Sequence, residues 1–208
     1  MEELFLKRLK KAWLIAYLLQ IVPFVRMIGL NGSMTRKEIT PSSDIDFLVI
    51  TAPKRIWTSR FLVTILTHLT GQRRYGSKIA GRICLNRYQT EDFLEIQPHN
   101  LYHARTFSNL VPLFGKKIYP SYQKANQWMT KFNYEVKPAF HLPETERPIL
   151  LAIQKAGEWI LKGWFGDWLE ARLKNYQKKR ILNDPRTKEA PPGRVRISDQ
   201  ELCFHPKK

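Results

Sequence analysis

The 208-residue chain is 43% hydrophobic and 12% aromatic, with six Trp and eleven Phe, which supports a sizeable core and excludes a globally disordered polypeptide. Its formal charge is +17, and the excess is spread along the chain: Lys and Arg outnumber Asp and Glu by 18 to 8 over residues 1–120 and by 17 to 10 over residues 121–208. That field favours anionic partners, and the two isolated cysteines, Cys84 and Cys203, argue against a disulfide framework or a zinc site and for a reducing, cytoplasmic setting.

Residues 3–21 read as a helix, basic in its first half (Lys7, Arg8, Lys10, Lys11) and apolar in its second. The apolar run Ala12–Val22 is too short to span a bilayer, which takes about 20 residues. Pro23 is followed by Phe24-Val25-Arg26 and not by a small-residue cleavage site, so a signal peptide is not expected. Val25–Leu30 reads as a strand and Asn31-Gly32-Ser33 as a turn. A polar stretch ending in Thr40-Pro41-Ser42-Ser43 leads to a second strand, Asp44–Thr51, whose apolar half suggests burial on both faces. Residues 55–70 have helical apolar spacing and stop at Gly71. Arg82–Gln89 and Phe93–Ile96 read as strands and His99–Leu110 as a helix. The composition then shifts. Residues 121–133 and 147–181 read as helices, the second Trp-rich with weak points at Gly163 and Gly166, and the Pro-containing segment Tyr134–Glu146 links them. Pro185–Gly193 reads as an exposed loop and Val195–Phe204 as a short terminal strand.

The order predicts an α/β (α+β) protein: a mixed sheet with flanking helices over residues 1–120, a helical part over 121–183, and a basic tail with a short strand over 184–208.

Asp44 and Asp46 carry the clearest chemistry. Residues i and i+2 of a strand share a face, so the two carboxylates project together while Ile45 and Phe47 point away. Like charges that close are costly unless a cation or water separates them. Nucleotidyl transfer needs charge neutralised on a triphosphate and a hydroxyl activated, and two divalent cations about 3.5–4 Å apart do both. Gly32 allows the backbone to approach a phosphate, and the Ser33 hydroxyl and nearby N–H groups can bond its oxygens. Residues 34–43 are long enough to return the chain to a neighbouring strand, so that loop and carboxylates face one cleft.

Leu30-Asn31-Gly32-Ser33, ten residues, then Asp44-Ile45-Asp46 resembles the signature of the DNA polymerase β-like nucleotidyltransferases, and Ser42–Val49 looks particularly like the small bacterial and archaeal members. The likeness covers residues 24–50 closely and 1–120 loosely. It implies a nucleotidyltransferase-type fold, a two-metal Mg2+ site on Asp44 and Asp46, and a nucleoside triphosphate such as ATP on Gly32, Ser33 and Ser43. A third carboxylate on a later strand also follows from it. Glu95, between Leu94 and Ile96, fits best, with Glu91, Asp92 or the amide Asn86 as the other occupants. Asn31 stands where such proteins carry an apolar residue.

The activity so implied is transfer of a nucleoside monophosphate to a hydroxyl acceptor, with RNA or protein favoured over a cationic aminoglycoside by the basic field. The alternatives are a catalytically inactive nucleotide- or RNA-binding protein, and a peripheral membrane protein acting through helix 3–21; a membrane is otherwise not expected as a partner. Arg73, Arg74 and Lys78 could hold phosphates or form a solvated loop. The basic end of the long helix, from Arg172 to Arg180, suits the helix dipole whatever it binds. His68, His99, His103, His141 and His205 are isolated from one another and from the cysteines.

Overall fold

A computed structural model describes residues 1–143 and 146–204; His205 lies outside them. The order is α1 (Glu2–Leu19), β1 (Val25–Asn31), β2 (Ile45–Thr51), α2 (Ile56–Leu69), β3 (Ile83–Thr90), α3 (Leu101–Phe107), β4 (Val111–Phe114), α4 (Tyr119–Ala125), α5 (Pro148–Ile160), α6 (Trp164–Asn183), α7 (Pro185–Lys188), β5 (Val195–Ile197) and β6 (Glu201–Phe204). The strands form one mixed six-stranded sheet in the order β4-β1-β2-β3-β6-β5. Only β2 and β3, joined through α2, run parallel; the other neighbours are antiparallel. Pro112 lies in the edge strand β4, where a missing N–H costs no ladder bond.

The period-two pattern of β2 divides the core. Ile45, Phe47 and Val49 pack with Ala12, Ile15, Ala16 and Leu19 of α1 and with Ile56, Trp57 and Val63 of α2. Leu48 and Ile50 point the other way, into a second cluster with Ala104 and Phe107 of α3, Tyr119 and Tyr122 of α4, and Trp128. Asp46 belongs by alternation to this second face. One apolar face of α1 thus packs on the core, and its Arg8 is buried as well, donating to Thr40 O and Pro41 O at 2.7 Å each. Ala12, Ile15, Ala16 and Leu19 of helix 3–21 are thereby committed to the sheet, while Leu6 and Leu14 are exposed. Among the described residues, no helix is long and apolar enough to cross a membrane.

Several expectations change: Pro185–Gly193, read as a loop, begins with the short helix α7, and Val195–Phe204, read as one strand, is two strands paired antiparallel. Phe93–Ile96 is not a strand: Leu94 and Ile96 are buried, but the segment is a turn and loop, pinned by Asn126, which accepts from Ile96 N at 2.8 Å and donates to Leu94 O at 2.8 Å. Residues 121–133 form α4 and a 3₁₀ segment, Gln127–Phe132, in place of one helix. Residues 147–181 form two helices separated at Gly163, whose φ of 72° no ordinary helix contains. Gly166, by contrast, lies within α6.

The chain end is tied into the sheet. Residues 195–204 form a hairpin, and β6 pairs with β3. Arg87 of β3 is fully buried and donates to Glu201 of β6, which also accepts from Arg196 Nε at 2.7 Å. Burial weakens the hold of Arg87 on its proton, and the Cys203 and Glu201 side chains oppose that shift. Helix α6 docks by polar groups too. Glu170 accepts from Trp57 N at 2.9 Å and Thr58 N at 2.8 Å, placing a carboxylate at the uncapped N-terminus of α2. Gln177 donates to Trp57 O at 2.8 Å.

Truncating one member of a buried ion pair strands the other. Glu201→Ala is expected to cost about 3–5 kcal/mol, read as a lower urea midpoint, because Arg87 keeps its charge without its partner. A change within experimental error would show that the pair does not hold the hairpin to β3.

Candidate active site

The site forms where β1 ends and β2 and β3 begin. Antiparallel pairing sets Asn31 opposite Asp46, so the turn after β1 passes under the Asp46 side chain. Gly32 there has φ 73°, and a Cβ on it would lie 2.4 Å from Asp46 Oδ2. Only glycine meets both conditions. Thr35 Oγ1 donates to Gly32 O at 3.1 Å and Glu38 N to Ser33 O at 2.9 Å, which closes the loop on itself. Ser33 is half-buried. The Ser43 hydroxyl accepts from Thr40 N at 3.0 Å and shares a contact with Thr40 Oγ1, so it organises the turn into β2.

Asp44 Oδ, Asp46 Oδ and Cys84 Sγ lie within 4.8 Å of one another, a set of donors that could hold a metal ion. Cys84 pairs with Asp46 in the β2–β3 ladder and shares its face. A register shift between Asp46 and Leu48 then inserts a bulge in β3. It aims the Asn86 amide at Asp46 Oδ1 (Nδ2 to Oδ1 3.0 Å) while Arg87 turns to the same face. Asn86 Oδ1 and Asn31 Nδ2 are buried without a protein partner, leaving an acceptor and a donor beside the carboxylates. Arg74 Nη1 lies 2.5 Å from Asp44 Oδ2 and 3.4 Å from Cys84 Sγ. Its guanidinium is the counter-charge to the pair.

The electrostatics follow from this crowding. Burial and then the neighbouring Asp44 push Asp46 from its ordinary 3.8 up to about 7, against the pull of Cys84, Arg74 and Asn86. Burial, Asp46 and Asp44 raise the Cys84 thiol well above its usual value, so it is a neutral S–H. Two carboxylates, a neutral thiol and a free amide oxygen make a donor set suited to an oxygen-preferring divalent cation.

Glu95 is not brought to this group. Its segment is a loop, and the side chain turns outward, within 3.1 Å of His99 Nε2 and accepting from Gln97 Nε2 at 3.1 Å. Glu91 faces Arg26 at 3.9 Å, and Asp92 is exposed. Of the four occupants considered for the third position, the structure brings Asn86 to Asp46. Cys84 is the residue that sequence reasoning set aside. Its spacing of two from Asn86 on a strand beside the D-x-D was the available signal. Arg73 pairs through its backbone with Ile83, and Lys78 lies over the Tyr75 ring at 5.5 Å; of the three cations weighed, Arg74 reaches the carboxylates. The described histidines do not join the metal group. Tyr102 of α3 lies close enough that Asp46, after burial, raises its hydroxyl pKa. It lines a cavity of about 210 Å3 with Asn100, His103, Arg194 and Cys203.

The family model for the nucleotidyltransferase domain matches residues 11–103, the stretch from α1 into α3 that contains the glycine turn, both carboxylates and Cys84. Over these residues the chain is similar to a nucleotidyltransferase domain. This agrees with the polymerase β-like superfamily, to which the Gly32-Ser33 and Asp44-Ile45-Asp46 spacing points. No curated protein and no solved structure matches the chain. The matched domain ends ahead of β4, α4, α5 and α6.

Two outcomes test this geometry. Gly32→Ala must relax a left-handed turn and displace the Asp46 carboxylate, so it should lose about 1–3 kcal/mol and weaken Mn2+ binding, read by denaturation and by metal titration. A carboxylic acid whose pKa is raised on folding keeps its proton longer in the folded state. The metal-free protein should therefore lose stability as pH rises from near 3.8 to near 7, the window between the ordinary and shifted values of Asp46. Melting curves in chelator should show a slope there that Asp46→Asn diminishes, and Mn2+ should stabilise the native protein more at pH 8 than at pH 5.

Proposed function

We propose that the protein transfers a nucleoside monophosphate from a nucleoside triphosphate to the hydroxyl of an RNA or protein acceptor. The observation that carries this reading is the packing of Asp46 against Gly32: the glycine turn and the carboxylate pair are one contiguous surface. Asp44 and Asp46 would hold Mg2+ ions, with Asn86 Oδ1 as an additional oxygen beside them. When bound, such cations supply neutralisation of phosphate charge and activation of a hydroxyl. Gly32 and the backbone around Ser33 would approach the phosphates, and the unpartnered Asn31 Nδ2 is a donor on the same side. Arg74, which otherwise neutralises Asp44, would be released to phosphate oxygens. The net charge of +17 favours an anionic acceptor such as RNA.

A second reading is favoured by Asn86. An amide cannot accept a proton from an attacking hydroxyl, and Cys84 beside it is a neutral thiol. A nucleotide- or RNA-binding protein without transfer activity is consistent with that.

Incubation with α-labelled triphosphates, Mg2+ or Mn2+ and cell RNA or lysate separates the two. Transfer of label, reduced by more than about 10²-fold in Asp44→Ala, is the expected result, on the scale of removing a single transition-state-stabilising group. Binding of nucleotide without label transfer, in the native protein and in Asn86→Asp alike, would establish the binding reading instead. Full activity in Asp44→Ala would remove this site from the chemistry.

A further inference from the structure

Helices α5 and α6 leave much of their apolar surface facing outward. The inner side of α5 combines Leu151, packed on the core, with polar or small residues. Gln154 donates to Val22 O and Val25 O at 3.0 and 2.9 Å, and Glu158 accepts from Phe24 N at 2.9 Å and from Arg26 Nη1 at 2.5 Å. Gly157 sits so close to Pro23 that a Cβ would meet its Cγ at 2.6 Å. These contacts fix the rotation of the helix. The opposite side carries Ile149, Ile153 and Ile160, 70%, 50% and 61% exposed, with Ala152 and Ala156 between them. Ile149, Ile153, Ala156 and Ile160 recur at four, seven and eleven residues, which is one stripe of an α-helix. Helix α6 behaves alike: Gly166, Gln177 and Ile181 are buried, whereas Trp164 and Trp168 face outward. At the turn between the helices Trp159 and Trp164 are 78% and 81% exposed. A stripe of this kind marks a surface that something covers.

The charges around it select what. Residues 148–183 contain seven Lys or Arg and three Asp or Glu. Each of the three acids has a partner on the body: Glu158 pairs with Arg26, Glu170 with the start of α2, and the exposed Asp167 with Arg55 at 2.6 Å. Lys155, Lys162 and Arg172 are exposed beside the apolar stripe, the last over the Trp168 ring at 5.5 Å. Two copies placed face to face would bring two chains of +17 together. Stacking of nucleic-acid bases would use the indoles but leave the Ile stripe uncovered. Trp at an interface, aliphatic side chains below it and cations around it match an anionic bilayer surface.

We infer that the α5–α6 hairpin is a membrane-docking element, inserting its Trp159–Trp164 tip and the Ile face of α5 into the headgroup region of an anionic phospholipid surface. The insertion is interfacial, about 5–10 Å deep, and among the described residues no helix is long and apolar enough to cross the bilayer. The proposal does not depend on transfer activity. It uses a helix pair that lies outside the matched domain.

The full chain is tested by flotation with phosphatidylcholine vesicles that contain or lack phosphatidylglycerol, together with Trp emission. The expected result is flotation with the anionic vesicles only, a blue shift on binding, and release by high salt. Trp159→Ser with Trp164→Ser should lower the vesicle-bound fraction at least about tenfold. Its melting temperature should stay unchanged, since both side chains are exposed. Leu6→Ser with Leu14→Ser on α1 should leave flotation intact. The inference is overturned if the native chain does not float with anionic vesicles, or if the α5–α6 variant floats as well as the native chain. It also falls if sedimentation shows a dimer that Ile153→Lys dissociates, or if the Trp pair proves necessary for RNA binding instead of vesicle binding.

Discussion

The site depends on one register, Asn31 opposite Asp46 in the β1–β2 pair. A strand alternates its faces every residue, so a slip of one position would send Asp46 into the apolar layer under α1 and α2 and bring Ile45 or Phe47 to the cleft. The two clusters on the two faces of β2 make that slip prohibitive. Once the register is set, the residue after Asn31 has to pass beneath the Asp46 carboxylate in a left-handed turn, and Gly32 is the consequence. The ten residues from 34 to 43 need only return the chain to β2, and three anchors hold them: buried Arg8 on Thr40 and Pro41, Ser43 on Thr40, and Gly81 N on Ser43 O at 2.8 Å.

The same register brings two carboxylates together, and the surroundings show what that costs. Asp46 cannot ionise freely, Cys84 keeps its proton, Asn86 donates its amide, and Arg74 reaches in from the β3 approach to neutralise Asp44. All of these contacts substitute for positive charge. Each is also replaceable: Arg74 is a long side chain partly exposed to solvent, and Asn86 can present oxygen where it now presents nitrogen to Asp46. The arrangement is balanced by the protein's own donors, and a bound cation could take over that role. A site that needed no cation would more economically have lost one of the carboxylates.

Much of this was legible in the residues. The Gly32-Ser33 turn and the Asp44-Ile45-Asp46 start of an apolar strand declared themselves by spacing, because chemistry and period-two geometry constrain the same positions. Helices α1 and α2 were legible from apolar recurrence. The third position was not. Glu95 sits between two apolar residues that are buried, so alternation imitated a strand, but the backbone there is a loop held by Asn126, some thirty residues away in sequence. The bulge that turns both Asn86 and Arg87 to one face has no composition signature of its own, and Arg74 reaches Asp44 through a loop whose path depends on the pairing of residues 73 and 74 with Ile83. The β6 hairpin was hidden similarly: its attachment rests on a buried Arg87–Glu201 pair that joins residues 114 apart.

The exposed apolar surface of α5 and α6 bears on how the site could be used. Amphipathic helices normally turn their apolar stripe to the core. Here Gln154, Gly157 and Glu158 bind α5 to the turn after α1, and Glu170 and Gln177 bind α6 to the start of α2, so polar groups help dock both helices while the Ile face of α5 and the Trp side chains of α6 stay exposed. Leu151 and Leu173 join the core layer that contains α1 and α2. Asp46 lies on the opposite face of the sheet, with α3 and α4. A chain resting on its α5–α6 tip would consequently hold the sheet between the lipid and the carboxylates, with the cleft turned to solution. That placement admits a soluble triphosphate and a polymeric acceptor without competition from the surface, and it makes a lipid headgroup a poor candidate for the acceptor itself.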